Sequence, residues 1–224
     1  MKKMIYGLNP TSLIDYPNEF SFVIYTGGCN FNCPYCHNKN IVNKNTDTYS
    51  EEEVLKMLKE RKGFFKAVVI TGGEPTIHGI RLINFIKDIK KLGYKIKLDS
   101  NGSNPKLLKE IIKLKIIDFI AIDLKNTYEQ YEETIGRKFD LNNLKESIKL
   151  VENSNIEYQL RTTVNKTMHN KDTLLTILTY LKNKEKLVLQ PYRYNENQIR
   201  DFNFGEYTDE ELEQLKKELQ VEVH

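Results

Sequence analysis

Hydrophobic positions recur along the chain with two alternating periods. Short, β-branched runs bounded by turn residues predict strands at Glu19–Thr26, Ala67–Thr71, Lys95–Asp99, Ile116–Asp123, Glu157–Val164 and Leu187–Pro191. Between them the apolar spacing lengthens to three and four residues, the helical period. Ser50-Glu51-Glu52-Glu53 has the form of a capping box ahead of Val54, Leu55 and Leu58. Ile80–Leu92 places Leu82, Ile83, Phe85, Ile86 and Ile89 on one broad face, with Gly93 just past its end. Asn104-Pro105 offers an N-cap and an N1 proline for a helix over Lys106–Leu114. Leu141–Val151 and Thr173–Leu181 carry helical periodicity, and Thr208-Asp209-Glu210-Glu211 opens a last, charged helix.

Six strands, each followed by a helix, predict an α/β fold with a parallel sheet and right-handed crossovers. The pattern fits an open doubly wound sheet or a curved partial barrel, and periodicity does not choose between them. In both, the active site lies at the carboxyl ends of the strands. Unusual polar residues fall there. The strand ends run into Thr26-Gly27-Gly28-Cys29, Thr71-Gly72-Gly73-Glu74-Pro75, Asp99-Ser100-Asn101-Gly102 and Asp123-Leu124-Lys125. The fifth strand carries Arg161-Thr162-Thr163, and the sixth runs into Pro191-Tyr192-Arg193. No linker or low-complexity block divides the chain, so residues 1–224 read as one domain, with a core of about 8–193 and a C-terminal loop and helix over 194–224.

Composition narrows the class. Hydrophobic residues make up 39% and charged residues 29%, with 11 Gly and 6 Pro, which excludes collagen-like and wholly disordered chains. Lys and Arg number 34 against 31 Asp and Glu, and a net charge of +3 with both signs interspersed does not point to nucleic acid. No apolar run approaches the roughly 18 residues that span a bilayer. The first ten residues have two lysines but no apolar segment after them, so no secretory leader is expected and the expected compartment is the cytoplasm.

The three cysteines fall within Cys29-Asn30-Phe31-Asn32-Cys33-Pro34-Tyr35-Cys36-His37-Asn38. A clustered odd set in a reducing compartment reads as metal or catalytic chemistry rather than disulfides. A structural zinc site wants four closed ligands, and the one candidate nearby, His37, adjoins Cys36 and would need strained geometry. Three thiolates suit a [4Fe–4S] cluster with one iron left open to substrate or cofactor. On spacing alone both metals remain possible readings, with the cluster favoured.

Cys-x3-Cys-x2-Cys with an aromatic residue before the last cysteine resembles the signature of the radical S-adenosylmethionine (radical SAM) enzymes. Gly72-Gly73-Glu74-Pro75 resembles their methionine-binding motif. The His37-Asn38 pair after the cluster narrows the likeness to activating enzymes of glycyl radical proteins. Ser12-Leu13-Ile14-Asp15-Tyr16-Pro17 is most similar to the activases of anaerobic ribonucleoside-triphosphate reductase. The resemblance covers about residues 8–193. It implies a partial (βα)6 barrel and a cluster on Cys29, Cys33 and Cys36 whose open iron chelates SAM. It implies reductive cleavage to a 5′-deoxyadenosyl radical, and hydrogen abstraction from a glycine Cα of a partner enzyme. The expected partners are that glycyl radical enzyme and a low-potential electron donor such as flavodoxin or ferredoxin, with no nucleic acid and no membrane. The competing readings are a radical SAM enzyme acting on a small molecule, like the 7-carboxy-7-deazaguanine synthases, and a zinc-stabilised binding module.

The resemblance also assigns cofactor contacts: Gly72, Gly73, Glu74, Pro75, Asp99, Ser100, Asn101, Asp123, Lys125 and Arg161. Asp99 and Asp123 end adjacent strands, so their carboxylates should converge and need a cation between them. The likeness suggests a monovalent cation beside the SAM carboxylate. Arg193 stands where some relatives carry a histidine, and would reach the adenosyl group or face the partner. Asn18 stands where many relatives carry glycine. His78 and His169 are expected on exposed loops. Two long inserts, Lys39–Tyr49 and Arg193–Tyr207, are expected to be non-helical, leaving the barrel mouth without a lid. No further cysteine is available for a second cluster, and no Gly-x-Gly-x-x-Gly or Walker loop occurs.

Overall fold

A computed structural model describes residues 3–223. Met1 and Lys2, part of the N-terminal stretch considered above for a leader, and His224 lie outside the described residues. The strands are β1 (Ile5–Tyr16), β2 (Glu19–Thr26), β3 (Ala67–Gly72), β4 (Lys95–Ser100), β5 (Phe119–Asp123), β6 (Glu157–Val164), β7 (Leu187–Pro191) and β8 (Glu222–Val223). The helices are α1 (Lys39–Val42), α2 (Glu51–Glu60), α3 (Ile80–Lys91), α4 (Pro105–Leu114), α5 (Tyr131–Ile135), α6 (Leu141–Glu152), α7 (Lys171–Thr179) and α8 (Asp209–Leu219). The strands lie side by side in chain order in one sheet. Only β1 and β2 pair antiparallel; every other neighbouring pair is parallel.

Strictly sequential order is the pattern of a barrel, because a doubly wound sheet reverses its order at a switch point. Curvature is visible in the side chains. In a flat sheet β1 and β4 would stand about 14 Å apart, yet Lys97 Nζ on β4 donates to the Asp15 carbonyl on β1 at 2.7 Å. Arg161 on β6 likewise reaches across β5 to Asp99 on β4. The sheet is therefore curled into a partial barrel, which resolves the choice left open by the periodicity.

The expected six units correspond to β2 through β7. The sequence did not predict β1 or β8. β1 contains Gly7, Asn9, Pro10 and Ser12, and its register with β2 shifts repeatedly. It turns into β2 through Pro17 and Asn18, and Asn18 has φ 59°. That left-handed conformation favours Gly and tolerates Asn, which accounts for Asn18 at this position. The fourth predicted strand starts later than expected, at Phe119, because the helix before it ends on left-handed Lys115 and buries Ile116 and Ile117 ahead of the sheet.

The helices cover the outer face, where Ile24, Ile70, Leu98 and Ile122 meet Leu82, Ile86 and Leu108. Each such buried aliphatic side chain contributes about 1.5–3 kcal/mol. The inner face has a smaller apolar floor of Tyr16, Val23, Ala67 and Val69, joined by Tyr25 and Phe119. Both capping boxes form, at Ser50 with Glu53 and at Thr208 with Glu211, and Asn104 caps α4 through the amide of Leu107.

Three expectations about loops fail. His169 is fully buried, with Nε2 2.9 Å from the Lys125 carbonyl and Nδ1 accepting from the Asn165 amide. His78 is half-buried, with Nε2 3.0 Å from the Gly27 carbonyl. The Lys39–Tyr49 insert contains the short helix α1. The second insert, 193–207, lacks helix as expected but packs inward: Gln198 is buried, accepts from Tyr192 Oη at 2.8 Å and donates to the Arg200 and Phe202 carbonyls. Among the described residues no helix is long and apolar enough to cross a membrane.

Candidate functional site

The cysteine loop leaves the carboxyl end of β2 and is held from two sides. The Asn32 amide donates to the Ile135 carbonyl at 2.9 Å, and Phe31 packs edge-on against Phe139 with centroids 5.1 Å apart. On the other side the amides of Ile199 and Arg200 donate to the carbonyls of Cys36 and Pro34, and Tyr35 packs edge-on against Phe204. The 193–207 segment is thus a strap behind the loop. Burial pushes the Cys29 thiol up to about 11 and the Cys33 thiol up to about 12, and raises Cys36 as well; at each, the Lys125 ammonium works in the opposite direction.

These donors fit a [4Fe–4S] cluster. Desolvated thiols of this kind become thiolates when a cationic group compensates them. Tyr35 Oη is buried with no hydrogen-bond partner among the described residues, beside Cys33, Cys36 and Asp123, as expected where a further group is to be held. No three His, Cys, Asp or Glu side chains among the described residues converge on a single metal ion. The cluster reading rests on the number and chemistry of the donors, the three free thiols of Cys29, Cys33 and Cys36.

The loop after β3 is pressed against the cysteine loop through bare backbone. The Gly73 amide donates to the Thr26 carbonyl at 2.9 Å and the Glu74 amide to the Gly28 carbonyl at 2.8 Å. A Cβ on Gly73 would lie 1.9 Å from the Gly28 carbonyl oxygen, so only glycine fits. Asn38 Nδ2 donates to the Gly72 carbonyl at 3.0 Å. Pro75 opens a 3-10 turn, and the Glu74 carboxylate accepts from the Thr76 amide at 3.0 Å. The same carboxylate accepts from Ser100 Oγ at 2.8 Å and the Asn101 amide at 2.6 Å. Glu74 is fully buried and braces the loop after β3 to the loop after β4; burial raises its pKa against the pull of these donors. Asn101 carries the brace onward, its Nδ2 donating to Asn30 Oδ1 at 2.9 Å.

Asp99 and Asp123 do converge, and the charge between them is the protein's own. Arg161 donates from Nε to Asp123 Oδ1 at 2.8 Å and from Nη1 to Asp99 Oδ2 at 3.0 Å. Lys125 Nζ pairs with Asp123 Oδ2 at 2.9 Å, and Lys97 Nζ with Asp99 Oδ1 at 2.9 Å. The expected monovalent cation finds no support: three basic side chains already neutralise the two carboxylates, and a guanidinium fork fills the position assigned to the ion. Burial pushes the Asp123 carboxyl up, but Arg161 and then Lys125 outweigh it and hold it at about 2. Asp99 is lowered by the same balance, with Arg161 and Lys97 opposing burial. Burial alone would lower the Lys125 pKa, and Asp123 more than reverses it.

Most of the expected contacts therefore gather at one mouth: the loop over Gly72–Pro75, Ser100, Asn101, Asp99, Asp123, Lys125 and Arg161, beside Cys29, Cys33 and Cys36. Arg193 does not join them. It is exposed and engages the Tyr207 carbonyl at 3.0 Å and Asp209 Oδ1 at 3.1 Å. Lys97 was not singled out by the sequence, and Tyr35 and Asn38 entered only as parts of the cysteine motif, with no contact assigned to them. The only signal for Lys97 was an alternating Lys95-Ile96-Lys97-Leu98 run, which points both lysines to solvent; Lys95 does so and pairs with Glu19, while Lys97 is buried.

Comparison with known proteins places these features in a family. The profile of the radical SAM superfamily matches residues 23–181. A Methanocaldococcus jannaschii protein named as a glycyl-radical enzyme activating enzyme is 36% identical over 177 residues, covering 77% of this chain and 73% of its own. The pyruvate formate-lyase-activating enzyme of Clostridium pasteurianum is 28% identical over 201 residues, covering 84% of this chain and 81% of its own. Among solved structures, Streptococcus suis SuiB bound to S-adenosylmethionine superposes with a TM-score of 0.67 at 16% identity. That match takes in 90% of this chain and about half of SuiB (49%), and shows the shared fold.

Proposed function

The chain belongs to the radical SAM superfamily, among the glycyl-radical enzyme activating enzymes, and from that premise we propose that it installs a glycyl radical on anaerobic ribonucleoside-triphosphate reductase. Membership implies a [4Fe–4S] cluster and SAM. The observation that carries the reading is the way the cysteine loop is tied to the strand ends that carry the charged network: the Glu74 amide donates to the Gly28 carbonyl at 2.8 Å and Asn101 Nδ2, two residues after Asp99, donates to Asn30 Oδ1 at 2.9 Å.

In this reading Cys29, Cys33 and Cys36 hold the cluster. When bound, it supplies the electron, delivered by a flavodoxin or ferredoxin, that splits the SAM sulfonium bond and yields a 5′-deoxyadenosyl radical. The bare backbone of Gly72 and Gly73 lets the loop after β3 lie directly against the cysteine loop, beside which the methionine end of SAM would bind. Arg161 and Lys125 orient its carboxylate, with Asp99 and Asp123 fixing both cations. Glu74 keeps the loops after β3 and β4 at constant separation through Ser100 and Asn101. The strap of 193–207 screens the back of the cysteine loop from water, and Arg193 anchors that strap. Two relatives named as activating enzymes, at 36% and 28% identity, support a protein substrate over a small molecule.

The test is anaerobic. Reconstituted protein, SAM and reductant are mixed with a purified anaerobic ribonucleotide reductase, and the glycyl radical is read by electron paramagnetic resonance. Deuterium placed at the target glycine Cα should appear in 5′-deoxyadenosine. Deuterium transfer from a small heterocycle, with none from any glycine loop, would move the assignment to small-molecule chemistry.

A further inference from the structure

Across the inner face of the sheet, Val23, Val69, Lys97 and Phe119 stand in register on four neighbouring strands. Three are apolar; the fourth is a lysine only 2% exposed. Packing alone asks for an aliphatic residue there, and a buried ammonium persists only where charged or polar acceptors hold it. Two do. Lys97 Nζ lies 2.9 Å from Asp99 Oδ1 and donates to the Asp15 carbonyl at 2.7 Å. Asp99 Oδ1 is buried and accepts no hydrogen bond of good geometry, so Lys97 is its one electrostatic partner among the described residues. Asp99 Oδ2 receives Arg161.

The other end of this connection is a turn on β1. Ser12 Oγ accepts from the amides of Ile14 and Asp15, at 3.3 and 3.2 Å, and the turn exposes Leu13 and Ile14 by 75% and 91%. The residue that follows this tip presents its carbonyl to the buried ammonium. A continuous path thus runs from the N-terminal turn through Lys97 and Asp99 to the Arg161 fork.

We propose that Lys97 is a positioning residue for the SAM site, fixing Asp99 and through it Arg161 against the backbone of the Ser12–Tyr16 turn. The inference rests on the reading that the Asp99, Asp123 and Arg161 group contacts SAM. Lys97 also gives the network of Lys97, Lys125, Arg161, Asp99 and Asp123 its one excess positive charge, which favours a ligand carboxylate. Without it Asp99 swings toward Arg161 and occupies the donors that a ligand would use.

The experiment compares Lys97→Met, Lys97→Arg and Ser12→Ala with wild type as cluster-loaded protein. SAM affinity is measured by calorimetry, and hydrogen exchange is followed over residues 8–19. Lys97→Met should keep its iron content, weaken SAM binding about tenfold or more, and raise exchange across the turn. Lys97→Arg, whose fork spans both acceptors, should recover affinity to within about threefold. Ser12→Ala removes the turn's side-chain hydrogen bonds, including the one Ser12 Oγ donates to the Asp15 carboxylate, while leaving Lys97, Asp99 and Arg161 in place, and should weaken SAM binding about threefold. SAM affinity in Lys97→Met within twofold of wild type overturns the proposal. If that variant fails to fold, unchanged affinity in Ser12→Ala overturns it. A wild-type protein with full iron and no SAM binding would instead remove the underlying reading, and this inference with it.

Discussion

Replacing Arg161 by methionine keeps most of the buried stem and deletes the charge between two carboxylates. The side chain is 11% exposed and makes the hydrogen bonds to Asp99 and Asp123 described above. Asp123 is held at about 2 against an ordinary 3.8, and Arg161 is the largest cause opposing burial. That depression corresponds to about 2.5 kcal/mol of stability at neutral pH from Asp123 alone, part of which Lys125 would retain. Asp99 contributes in the same direction. Removing one partner of a buried ion pair costs about 3–5 kcal/mol, so a loss of about 3 kcal/mol is expected. The assay is urea unfolding of the cluster-free protein, followed by far-ultraviolet circular dichroism. Both carboxylates have folded pKa values below their unfolded ones. Their contribution is therefore complete above about pH 4 and is lost as pH falls toward 2. In the variant burial no longer meets that opposition, so its carboxylates protonate earlier and the gap from wild type narrows on acidification. A loss under about 1 kcal/mol at pH 7.5, or a gap indifferent to pH, would refute the reasoning.

Two further outcomes follow from the same geometry. Gly73→Ala forces a Cβ against the Gly28 carbonyl, backbone against backbone, and should cost about 1–3 kcal/mol or more; it should also lower iron retention, measured per chain after anaerobic reconstitution. Burial lowers the His169 pKa below 6.5, so its contribution to stability is complete above about pH 6.5 and declines as pH falls from there toward its folded value. Melting temperatures from pH 8 to 5 should show that decline in wild type and a shallower one in His169→Phe.

Much of this architecture was legible from local signals. Asn104-Pro105 and the two capping boxes mark helix starts by chemistry that acts within four residues, and the parallel strands bury both faces and so carry runs such as Val68-Val69-Ile70. The candidate site was legible as a cluster because barrels place polar residues at strand ends. What stayed hidden depends on contacts distant in sequence. β1 is a strand only because β2 pairs with it. Lys97 is buried only because the curled sheet brings Asp15 over it. Arg161 was foreseen as a ligand contact, yet its role as the counter-ion of two aspartates required the curvature that joins β4 to β6. His169 carried no sign of burial, since its partners are the Lys125 carbonyl and Tyr207, whose hydroxyl donates to the His169 carbonyl.

The order of the strands bears on how the protein is made. Each strand pairs with the one synthesised just before it, so the sheet can grow by addition at one edge as the chain emerges from the ribosome. The cysteine loop follows a different schedule. It emerges early, behind β2, but its amide and carbonyl partners on Ile135, Ile199 and Arg200 are translated far later. Until then the three thiols sit on a loop without its backing, exposed to stray metal and oxidant. Cluster delivery to a finished pocket must therefore follow translation, and a ribosome stalled before Ile199 would present a nearly complete sheet with its cysteines unguarded.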